Sequence, residues 1–138
     1  MKQFKTLLVG LLIGSMLGCA TISPFSQHAY SQAVELKVDA LRLMDNATDT
    51  YSKHTEEVEQ LLLRIEKAYE YEKGRPKNEI TTQLWEMLID PDKDMLGTFL
   101  KDWKTRDSLE AYLVGEKKKQ IRSAFDKIIE LESGKRKE

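Results

Sequence analysis

Apolar residues recur along this chain at helical spacing. Between about His28 and Met44, Val34, Val38 and Leu41 stand at i, i+4 and i+7, while Leu36, Ala40 and Leu43 form a second stripe. Two stripes imply burial against more than one neighbour. Asp45 to Thr50 is rich in side chains that compete for backbone hydrogen bonds, which predicts a break there. The clearest helix runs from about Ser52 to Lys73. Val58, Leu61, Leu62, Ile65, Ala68 and Tyr69 line one face, and charged residues occupy most of the rest. Gly74 and Pro76 stop it.

Three further helical segments follow. Asn78 to Ile89 places Ile80, Leu84, Met87 and Leu88 on one side, with Trp85 beside them, and Asp90-Pro91-Asp92 ends it. Met95 to Lys104 repeats Leu96, Phe99, Leu100 and Trp103. Asp107, with Glu110 three residues on, reads as the cap of a last segment. That segment carries Leu109, Tyr112 and Leu113, then Ile121, Phe125, Ile128 and Ile129. Gly115 and Lys117-Lys118-Lys119 interrupt its stripe and suggest two helices. No strand alternation, internal repeat or long heptad run is visible. The pattern predicts an all-α fold, a small antiparallel bundle of about four to six helices joined by short loops, over residues 28–133. Residues 134–138 form a basic tail expected to fray.

The first eighteen residues differ. Lys2 and Lys5 precede an uncharged run from Leu7 to Leu17, which is shorter than the ~20 residues a membrane-crossing helix needs. This is the layout of a cleaved secretory leader, with Cys19 as the sole cysteine directly after it. Met16-Leu17-Gly18-Cys19-Ala20 resembles the processing site of bacterial lipoprotein precursors, in which a small residue precedes an obligatory cysteine. At Met16 and Leu17 the chain departs from the family's usual residues. The resemblance covers about the first twenty positions. It implies cleavage between Gly18 and Cys19, a diacylglyceryl group on the Cys19 thiol and an acyl group on the new amine. Because Ala20 is not aspartate, it also implies an outer-membrane address facing the periplasm in a diderm cell. Two or more acyl chains anchor a protein stably, at roughly 0.8 kcal/mol per buried methylene. Residues 19–27 then form a short uncharged tether, in which Phe25 dips into the interface or caps the core.

Charged residues make up 33% of the chain, a composition suited to amphipathic helices in water. Net charge is −1 and becomes more negative once Lys2 and Lys5 leave, which argues against nucleic-acid binding. With a single cysteine, no intrachain disulfide can form.

Little in the chain points to catalysis. His28 and His54 stand outside any Glu-x-x-His pair, and His54 with Glu57 supplies two ligands where a metal site needs more. Asp90-x-Asp92-x-Asp94 opens like a calcium loop, but Met95 stands where the turn glycine belongs and Lys101 where the bidentate glutamate belongs. Ser52 and His54 are two residues apart, which points them away from each other on a helix. Neither a nucleophile elbow nor a phosphate loop is present.

The expectation is therefore no enzyme, no metal and no cofactor beyond the acyl groups. The chain reads as a membrane-held interaction module with a protein partner in the envelope. Contacts to that partner or to the membrane are expected at Tyr71, at Trp85 and at the basic cluster Lys117, Lys118, Lys119 and Arg122. A lipid or small-molecule carrier, with a cavity lined by Leu61, Ile65, Phe99 and Phe125, is the second expectation. An envelope hydrolase using Glu57 is the third.

Overall fold

The computed structural model describes residues 21–137. The expected leader and the Gly18-Cys19 processing site lie outside the described residues. Five α-helices account for most of the described chain: α1 (Gln27–Asp45), α2 (Thr55–Lys73), α3 (Glu79–Ile89), α4 (Leu96–Arg106) and α5 (Ala111–Gly134). Helices α1, α2, α3 and α5 form a closed ring in which each packs on the next and α5 returns to α1. Cross-helix pairs fix the directions. Arg64 of α2 reaches Asp39 of α1, and Lys37 and Asp45 of α1 meet Asp126 and Lys118 of α5. Neighbours therefore run antiparallel, as short connections require.

The core follows one stripe from each helix. Leu36, Ala40 and Met44 of α1, Ile65 and Ala68 of α2, Trp85 and Leu88 of α3, and Ile121, Phe125 and Ile128 of α5 are at most 1% exposed. Trp85 and Phe125 meet edge to face at 5.9 Å near its centre. Helix α4 lies outside the ring and seals one end. Leu96, Phe99, Leu100 and Trp103 turn inward, and the Trp103 Nε1–H donates to the Asp49 carbonyl at 2.9 Å. Tyr51 packs edge-on against the same indole. Two short 3-10 turns, Asn46–Thr48 and Tyr51–Lys53, complete this end. They are stitched to the α4–α5 connection by bonds from the Leu109 and Tyr51 backbone N–H groups to the carbonyls of Ala47 and Asp107.

The predicted break after Met44 is real, and that before α3 falls where Gly74 and Pro76 place it. Other details differ. Helix α5 runs unbroken through Gly115, because a glycine at this open position interrupts nothing on the buried side. Asp107 does not cap α5. It adopts a left-handed φ of 67° that ends α4, and α5 begins at Ala111. In α3 the buried stripe is Thr81, Trp85 and Leu88, shifted one position from the expected one, which leaves Ile80 and Met87 exposed. Val38, Leu62 and Tyr112 likewise face outward. The described part of the basic tail, to Lys137, is not frayed. Helix α5 continues to Gly134, a 3-10 turn covers Lys135–Lys137, and Lys135 is buried.

Candidate functional site

Two surfaces, at opposite ends of the bundle, gather the chemistry of this molecule. The first surrounds the entering chain. Glu132 continues the apolar stripe of α5 one turn past Ile128, and Glu72 does the same for α2 after Ala68. Their residue exposures are 1% and 3%. Buried carboxylates need partners, and here they have them. Arg75, just past α2, bonds Glu72 at 2.9 Å and both oxygens of Glu132 at 3.0 Å. Lys135 bridges Glu132 at 2.7 Å and the Asn78 side-chain oxygen at 2.8 Å, while the Asn78 amide donates to Glu72. Burial alone would push the Glu132 carboxyl upward. Hydrogen bonds from Arg75, Lys135 and the Ser26 backbone N–H outweigh that and hold it below its ordinary range.

This network grips the tether. The Ser26 N–H donates to Glu132 at 2.7 Å, Arg75 donates to the Pro24 carbonyl, and the Ser23 N–H donates to the Lys77 carbonyl at 3.0 Å. Ser26 then caps α1 by accepting from the Ala29 N–H at 3.1 Å. Phe25 stays on the protein, with the Arg136 guanidinium 4.5 Å from its ring centroid and Tyr30 beside it. Thus residues 23–26, part of the expected short tether, are a fixed part of the bundle. The sequence carries a signal for this seat: a carboxylate on an otherwise apolar stripe, twice.

The second surface lies on α5 at the α4 end. Tyr112, Gly115, Lys119 and Arg122 share the outward side of the helix, and Tyr112 is 79% exposed. Gly115, with nothing within 4 Å of where a Cβ would stand, leaves an open hollow. Asp45, Lys118, Lys119 and Arg122 line it.

The residues singled out from sequence divide between these places and the core. Tyr71 sits at the tether seat. Its hydroxyl lies 2.9 Å from Ser26 Oγ and its ring meets His28 edge-on at 4.7 Å, which explains its position off the main stripe of α2. Trp85 cannot be a partner or membrane contact in this fold, since it is 1% exposed inside the ring. Of the basic cluster, Lys117 is tied to Asp94 and Lys118 to Asp45, each with only 20% of its side chain exposed. Lys119, paired with Glu116 at 2.7 Å, and Arg122 remain at the surface. Tyr112 was placed with the apolar positions of α5, whereas the structure puts it beside them at the surface.

The chemical candidates resolve into local pairs. His54 packs on Trp103 and turns Nδ1 to Glu57 at 3.2 Å, with Nε2 3.6 Å from Asp49. Among the described residues, no group of three or more His, Cys, Asp or Glu is arranged to hold a metal ion. In the acidic turn, Asp90 accepts from the Asp92 N–H, Asp92 pairs with Lys101 at 3.0 Å, and Asp94 pairs with Lys117. Lysines therefore compensate two of the three carboxylates. The proposed carrier side chains Leu61, Ile65, Phe99 and Phe125 are at most 4% exposed and belong to the single core cluster. No described helix is long and apolar enough to cross a membrane. No family model, curated protein or solved structure matches the chain.

Proposed function

We propose that this chain is a bacterial envelope lipoprotein, anchored through acyl groups on Cys19, whose helical domain is a non-enzymatic interaction module. The observation that carries the reading is the charged seat that locks Ser23 to Ser26 onto the bundle. Only Ala20, Thr21 and Ile22 separate Cys19 from the locked segment, a reach of at most ~14 Å. An anchor joined so closely to a rigid body sets which end of that body is near the bilayer. It also raises the effective concentration of the module for partners on the same membrane.

The seat is at one end and the Tyr112–Arg122 surface at the other. Helix α1, with 19 residues, spans the distance between them, ~28 Å. That far surface, with exposed Tyr112 on the same side of α5 as a hollow lined by Lys119 and Arg122, suits an acidic segment of an envelope protein. In a diderm cell the domain faces the periplasm from the outer membrane.

The test has two arms. Cys19→Ser should release the protein from the membrane fraction and remove the mass of the acyl groups. A photo-crosslinking residue at position 112 in intact cells should give a discrete adduct, weakened several-fold by Lys119→Glu with Arg122→Glu. A crosslinker at Glu59, on the exposed side of α2, should give none. Unchanged sedimentation and mass in the serine variant would end the anchor reading. Equal adducts at 112 and 59 would end the partner surface.

A further inference from the structure

We infer that the tether end of the bundle rests on the lipid surface itself, with Ile80 as the side chain that enters the interface. This rests on the acylated-Cys19 reading and adds which residues meet lipid. Ile80 is 68% exposed, the most exposed large aliphatic side chain among the described residues. It stands in the first turn of α3, at the end where the chain enters. A shallow hollow there is lined by Thr21, Ile22, Ile80 and Leu131 with Lys77 and Lys135.

The occupant follows from where the chain leads. Ser23 is pinned to the Lys77 carbonyl, two residues before α3, so the hollow lies at the exit of the segment that leads back to Cys19. With three residues in between, no position of an acylated Cys19 takes this end further from the headgroups than ~14 Å. Charge is compatible with a headgroup layer. Exposed Lys73, Lys77 and Arg136 surround the end, against exposed Glu70 and Glu79. The buried acids Glu72 and Glu132 are already paired with Arg75 and Lys135. An exposed isoleucine beside the amphipathic stem of Lys77, which lines the same hollow, is the arrangement in which apolar area enters the acyl boundary while the cation stays at the headgroups.

The experiment uses the full chain, matured with its own leader and reconstituted in vesicles of phosphatidylethanolamine and phosphatidylglycerol with brominated acyl chains. Tryptophan is introduced as Ile80→Trp, as Ile22→Trp and, at the far end, as Tyr112→Trp. The native Trp85 and Trp103 are buried and supply a common background. After mass measurement establishes acylation, bromolipid should quench the added fluorescence of I80W and I22W about twofold and leave that of Y112W unchanged. Acylated protein whose three reporters respond alike, or whose Ile80 reporter is unquenched, would overturn the lipid contact while leaving the anchor intact. Mature protein without acyl mass would overturn both.

Discussion

Arg75 is the residue on which the seat turns, because one guanidinium serves Glu72, Glu132 and the Pro24 carbonyl. Removing one partner of a buried ion pair leaves the others uncompensated, at a cost of about 3–5 kcal/mol. Arg75→Ala should therefore lower stability by about that amount in denaturant titrations. Ser23 predicts the opposite sign. Its hydroxyl is buried without a hydrogen-bond partner, so Ser23→Ala should be neutral or slightly stabilising in the same titrations. Gly97 has no room at all: a Cβ there would stand 2.2 Å from the Ile89 carbonyl oxygen, a backbone atom. Gly97→Ala should push α4 off the end of α3 and cost about 1–3 kcal/mol, visible as a lowered melting temperature.

Among the elements, the joint of tether, α2 and α5 carries a pH dependence through Glu132. Its carboxyl titrates below its ordinary value of 4.5 in the folded state, so the unfolded chain binds the proton first as pH falls. The stabilisation is fully present above that ordinary value and is lost as pH falls through the lower folded value. Stability measured from neutral pH into the acid range should drop in that window. Glu132→Gln should flatten the dependence while lowering stability at neutral pH. If the two profiles run parallel, the carboxylate does not hold the seat. The same joint explains why the chain stays against the bundle past the end of α5 at Gly134: Lys135 is drawn in by Glu132 and Asn78.

For the whole molecule, one end is closed by charge and the other by aromatic packing, and the two surfaces should respond independently. Lys119 and Arg122 are exposed, so reversing both should alter stability by less than about 1 kcal/mol. Thermal unfolding checks this, and it makes any loss of crosslinking at position 112 a surface effect. Had the double reversal unfolded the domain, that assignment would lose its basis.

What the sequence by itself determined was local. Periodicity placed the helical segments and their breaks near Asp45–Thr50, Gly74–Pro76 and Asp90–Asp92, and wrongly suggested one more at Gly115, because an amphipathic stripe and the residues that end it are written within a few turns. It also put Leu36, Ile65, Trp103, Ile121 and Phe125 among the apolar positions that became core. The choice of face in α3, where Trp85 displaced Ile80 and Met87, was decided by a large ring meeting Phe125 across the bundle. The seat was decided the same way. Glu72, Arg75, Asn78 and Glu132 are separated by up to 60 positions, and although the stripes mark Glu72 and Glu132 as unusual, their partners are set only when antiparallel packing brings the end of α2, the start of α3 and the end of α5 together. Periodicity along one helix reports how apolar its sides are. Which buried charge finds which partner depends on distances between helices, and those exist only once the chain has folded.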